Sequence, residues 1–144
     1  MRIYVPATVD DLNSARGLSA RTAFAVTDDV RALAPDEDEE GREYLAFLAA
    51  ADAAIDEGEV TRIVIAADAP AAETKGTGVV EVDEVAWADV VSIHIDDLSD
   101  AMLLTDINAA QAEDDVARDR VNAADLLWYD VAERAELVRL IAAI

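Results

Sequence analysis

His94 is the only histidine in the chain. It stands in Asp89–Asp97, DVVSIHIDD, with two aspartates just after it. An imidazole beside carboxylates can hold a divalent cation or share a proton. Asp68, at the end of the apolar run TRIVIAA, would complete the set. If the two runs were parallel strands, Asp68, His94 and Asp96 would gather at one carboxyl edge. Open α/β sheets bind ligands at that edge. The competing reading is local structure. Thr, Ser and Asp after strands are also the residues that cap helices, and His94 and Asp96 share a face of their own strand.

Other chemistries lack their residues. The chain has no cysteine, so disulfides and thiolate ligation are excluded. The histidine spacing of a zinc site and the acid spacing of an EF-hand are missing. Gly76 and Gly78 form a lone G-x-G outside any strand-to-helix junction, and neither a Walker loop nor a dinucleotide fingerprint occurs. Ser14, Ser19, Ser92 and Ser99 lie in no nucleophile elbow, with His94 the one available base. No cofactor is implied. The enzymatic expectation is thus a small metal-dependent enzyme or ligand-binding protein using Asp68, His94 and Asp96.

Charge narrows the partners. Asp and Glu number 32 against 11 Lys and Arg, a formal net charge of −21. Lys75 is the sole lysine and the arginines are scattered, so nucleic acid and anionic membranes should be repelled. A solvated surface or adaptation to high salt would each account for the acidity. No run of about twenty apolar residues occurs, so no membrane span is expected. The opening MRIYVPATVDD lacks the basic and apolar regions of a signal peptide, which makes a cytoplasmic location the default expectation.

The 144 residues are expected to make one domain, residues 1–144. RIYVP at 2–6 and Thr22–Val26 alternate as strands. Thr8 with Asp11 forms a capping box, and Thr27 caps a second helix. The acidic run Asp36–Glu40 opens the clearest helix, on which Tyr44, Leu48, Ala51 and Ile55 recur at helical spacing beside Phe47. Thr61–Ala67 is nearly continuous in apolar residues, as a central strand should be. Residues 71–78 are expected as a loop and 79–82 as an edge strand. In the histidine strand, Val91, Ile93 and Ile95 should face one side, with Val90, Ser92 and His94 on the other. Trp87 should anchor the preceding connection. Short helices are expected near Ser99–Leu104 and Asp106–Arg118, then a last helix capped by Asn122. The expected fold is α/β, with a mixed four- or five-stranded sheet packed with helices.

The C-terminal part carries the other candidates. Trp128 and Tyr129, adjacent on the expected last helix, would place one ring inside and one at the rim. LVRLIAAI at 137–144 is apolar enough either to dock on the sheet or to meet a second subunit. Trp128, Tyr129, Leu137, Ile141 and Ile144 are therefore the candidate partner surface. The leading expectation is a non-enzymatic protein that binds a protein partner or forms a homo-oligomer.

Four pieces, MRIYVPAT at 1–8, IVIAADAP at 63–70, VSIHIDD at 91–97 and LLWYDVAE at 126–133, resemble a family of small, uncharacterised actinobacterial proteins. The resemblance implies an actinobacterial cytoplasmic protein with an α/β fold, and it carries over no catalytic residue.

Overall fold

Helix caps and two long apolar strands set the layout. The computed structural model describes residues 1–144. In chain order it contains β1 (Arg2–Pro6), α1 (Val9–Leu12), β2 (Gly17–Leu18), β3 (Arg21–Ala25), α2 (Asp28–Leu33) and α3 (Glu39–Ile55). β4 (Ile63–Asp68), β5 (Ala71–Glu73), β6 (Val79–Val82), β7 (Val85–Ala86) and β8 (Val90–Ile95) follow. The chain ends with α4 (Ala101–Gln111), α5 (Asp115–Ala123), β9 (Leu127–Tyr129) and α6 (Arg134–Ala142). The expected α/β class holds, but the main sheet is wider than four or five strands. It has seven, in the order β5-β6-β3-β1-β4-β8-β9, with β2 and β7 forming a separate pair. Every pairing is antiparallel.

The Thr8 capping box forms: Asp11 N–H donates to Thr8 Oγ1 at 3.2 Å and Thr8 N–H donates to Asp11 Oδ2 at 2.9 Å. Thr27 caps α2 through Val30 N–H. Asp38 caps α3 at 2.7 Å from Gly41 N. Further along, Asp100 and Asp114 cap α4 and α5. The break between those two helices falls at 112–114, where Glu113 has a φ of 68°. It does not fall near residue 105. Asn122 caps nothing; it lies in α5 and donates to Asp52.

Ile3, Val5, Ile63, Ile65, Ile93 and Ile95 fill one side of the sheet, under Leu137 and Ile141 of α6. α3 covers the other side, with Ala51 and Ile55 of the expected stripe buried and the other two not. Its buried residues are Ala46, Ala50, Ala51, Ala54 and Ile55, while Tyr44 and Leu48 stay exposed. Alanine lets the helix backbone approach Val64 and Ala66 closely. A third cluster joins Ile55 to Leu103, Ile107, Ala117 and Val121 of the α4–α5 hairpin.

Three local expectations change. Residues 71–73 form the edge strand β5, so β6 lies inside the sheet. The β4–β8 register slips: Ala66 faces Ser92, but Ala67 faces Val90. This extra residue puts Val90 in the core with Ile93 and Ile95 and leaves Val91 39% exposed. Residues 127–129 are the edge strand β9, not helix, because they pair with β8. Trp87 does anchor its connection: its Nε1 donates to the Ser14 carbonyl at 2.8 Å, and the Arg134 guanidinium lies 4.2 Å from its ring centre.

Candidate binding cleft

Antiparallel pairing takes apart the set Asp68, His94 and Asp96. Ile63 of β4 lies opposite Ile95, and Val64 opposite His94. Asp68 is thus four residues along β4 from the level of His94, roughly 14 Å by the rise of a strand. It sits at the exposed end of β4 and pairs with Arg2 at 2.7 Å. The Arg2 guanidinium holds its carboxyl below the ordinary range.

Asp96 is fully buried and committed. Its carboxylate accepts from Arg62 Nη2 at 2.7 Å, Arg62 N at 2.8 Å and Thr61 Oγ1 at 3.2 Å. Arg62 is itself 1% exposed and spends a further N–H on the Ala124 carbonyl. The pair ties β4 to β8 and to the end of α5. No group of three or more His, Asp or Glu side chains is arranged to hold a metal ion. The proposed cluster is therefore corrected to an exposed ion pair, a buried ion pair and a separate histidine.

His94 opens instead onto the α3 side of the sheet. A cleft of about 960 Å³ lies there, over β1, β4, β8 and β9. Tyr4, Ala66, Ser92 and His94 contribute to its sheet side, and Glu43, Tyr44, Phe47 and Leu48 come from α3. Residues 122–126 and Trp128 line it from the α5–β9 segment. The rings pack on one another: Phe47 meets His94 edge-on at 4.9 Å and Tyr4 at 5.9 Å, and Tyr44 stacks on it at 6.3 Å. Such contacts fix the floor while leaving Tyr44 and Trp128, 54% and 61% exposed, to face solvent.

The polar groups on the floor are poorly suited to catalysis. Ser92 Oγ and His94 Nε2 lie 2.8 Å apart, a nucleophile–base contact that the sequence did not signal. Burial pulls the imidazole down to about 4, so at neutral pH it is uncharged and a weak base. Ser92 is its one hydrogen-bonding partner, and no carboxylate orients the ring. Burial, and then the neighbouring Glu43 carboxylate, push the Tyr4 phenol up, so it stays protonated.

Charge in the cleft is one-sided. Arg2 and Arg62 line it but are already paired with Asp68 and Asp96. Glu40, Glu43 and Asp125 also line it, and none has a basic partner within 4 Å. The free charge is therefore negative.

The C-terminal candidates divide. Leu137 and Ile141 are 1% and 5% exposed, in the core and not on a partner surface, because α6 docks on the sheet. Ile144 is 58% exposed and lines a smaller groove of about 420 Å³ with Val60, Leu104 and Ile107. Trp128 and Tyr129 project to opposite faces of β9. Trp128, opposite His94, faces the cleft, and Tyr129, opposite Ile93, packs against the core. Tyr44, Leu48 and Val91 were missed as site residues. The offset alanine row Ala46, Ala50, Ala54 was the available signal that α3 buries a different face.

A family model described as a family of unknown function, DUF6912, matches residues 1–138. The chain belongs to DUF6912. That match includes every residue lining the cleft and stops before Ile141 and Ile144. Comparison of this DUF6912 chain with curated proteins and with solved structures gave no match. No helix is long and apolar enough to cross a membrane.

Proposed function

We propose that the protein is a non-enzymatic binding module whose α3-side cleft receives a protein partner. One observation carries this reading. Tyr44, Leu48, Val91 and Trp128 are all exposed large apolar side chains, and all line the same cleft. Exposed apolar residues scattered singly need no explanation, but a contiguous group around a concavity supports a binding surface. Tyrosine and tryptophan supply large rigid contacts of the kind that dominate protein interfaces. Self-association through this cleft is the weaker version, because two copies would bring like-charged rims together at a net −21 each. A cytoplasmic location and an actinobacterial origin remain part of the proposal. Both rest on the four resembling sequence pieces, whose likeness implies them.

Affinity capture from the native host tests the reading. Wild-type protein and the double variant Tyr44→Ala, Trp128→Ala are compared, with matched unfolding curves as the control for folding. The expected result is a protein enriched by wild type and lost from the variant. Identical captured sets would overturn the proposal.

A second reading has one observation behind it: the hydrogen-bonded Ser92 and His94 on the floor of a cleft large enough for a small molecule. On that reading the cleft binds a small ligand. His94→Ala would then abolish binding of a metabolite that stabilises the wild-type protein in a thermal-shift screen.

A further inference from the structure

β9 ends the seven-stranded sheet, with β8 on one side and no strand on the other. In an antiparallel ladder, alternate residues aim their N–H and C=O groups away from the neighbouring strand. Outside that ladder, no residue from 125 to 129 makes a backbone hydrogen bond to other backbone. Leu127 and Trp128 are 41% and 61% exposed, and the nearest side-chain hydrogen bonds to backbone fall outside this stretch, at Ala124 and Asp130. Natural edges are usually guarded by lysine, proline or an inward charge. β9, Leu-Trp-Tyr, is short, which itself limits pairing, but it carries no lysine, proline or charge. The opposite edge, β5, differs: Glu73 within it accepts the N–H of Asp28. The apolar open edge therefore borders the cleft, and Trp128 belongs to both.

Resting on the reading of the cleft as a partner site, we infer that the partner docks as an extended segment that adds a strand to β9, with apolar and basic side chains together on its cleft-facing side. Strand addition satisfies the free backbone groups of the edge. Every second side chain of the added strand then projects to the Trp128 face, over the cleft. Apolar side chains there meet Trp128, and basic ones reach Asp125, which has no basic partner in the fold. An acidic segment, or a second copy of this chain, would be repelled by the same rim.

A displayed library of random dodecapeptides, panned against the full-length protein, tests this. The inference expects enriched peptides in which every second position, one face of a strand, is drawn from apolar residues and Lys or Arg. Their synthetic forms should bind more weakly as salt rises. Trp128→Ala should weaken them by at least about tenfold, as should N-methylation of alternate backbone amides. The amides of residues 127–129 should exchange more slowly in the complex. Unchanged thermal unfolding of Trp128→Ala separates lost contact from lost fold. Peptides with helical spacing, or acidic ones, that depend on Trp128 but survive N-methylation would overturn strand addition and leave the cleft as the partner site. Binding indifferent to Trp128 and Tyr44, or no enrichment at all, would overturn both.

Discussion

Replacing Asp96 with alanine should remove a large share of the fold's stability, although Asp96 stands two residues from the only histidine. The carboxylate accepts from the Arg62 side chain, from Arg62 N and from Thr61 Oγ1, and lies at 0% exposure. Asp96→Ala leaves the Arg62 guanidinium, 1% exposed, with the Ala124 carbonyl as its remaining acceptor. Breaking one side of a buried pair costs about 3–5 kcal/mol. Against a total stability of about 5–15 kcal/mol, that is a large share. In urea titrations it corresponds to a midpoint roughly 2 M lower. Asp96→Asn keeps one acceptor oxygen and should lose less. Exchanging both partners, Arg62→Met with Asp96→Leu, should recover most of the loss, because no charge is then left buried alone. A loss under about 1 kcal/mol for Asp96→Ala would refute the reasoning and free Asp96 for a role in binding or chemistry.

His94 gives a pH signature. Its folded pKa is lowered by burial to about 4, so protons bind the unfolded chain first. Its contribution is complete above about pH 6.5 and is lost as pH falls toward 4. With one side of the ring open to the cleft, His94→Leu should remove about 1 kcal/mol of the pH 7 to pH 5 difference, read by urea titration at each pH. Ending the chain before Leu137 removes the buried Leu137 and Ile141 and should cost about 3–6 kcal/mol, measured as a lost or much earlier unfolding transition. A truncated chain that stays stable and monomeric while wild type is dimeric would contradict docking. At Gly17, φ is +126° and a Cβ would stand 2.0 Å from the Val85 carbonyl oxygen. Gly17→Ala should therefore cost about 2 kcal/mol in thermal unfolding by straining the β2–β7 pair.

Local signals in the sequence carried well where the chain itself is the cause. Thr8, Thr27 and the alternation of 2–6 and 90–95 predicted caps and strands because their partners lie within a few residues. Pairing direction was not legible, and it decides the site. Asp68 and His94 meet only if β4 and β8 are parallel, and nothing in either strand states that. The bulge beside Ala66 was equally hidden, yet it turns Val91 toward the cleft. LLWYD looked helical because its apolar residues continue the spacing that follows, whereas hydrogen bonding to β8 makes Leu127–Tyr129 a strand. On α3 the large side chains suggested the buried face. Close packing instead selected the alanines and left Tyr44 and Leu48 for the cleft. Trp128 was found as a partner candidate for its chemistry, but the rest of the cleft comes from four distant segments, β1, α3, β4 with Arg62, and β8.

The claim that the cleft is the partner surface is tested most directly by site-specific photo-crosslinking in the native host. A benzophenone side chain is placed singly at Leu48 or Val91, on the cleft, and at Leu140 or Ile144, near the C-terminus. The account predicts a discrete adduct with another protein from Leu48 and Val91, and none from Leu140 and Ile144. Adducts confined to the C-terminal positions would contradict it.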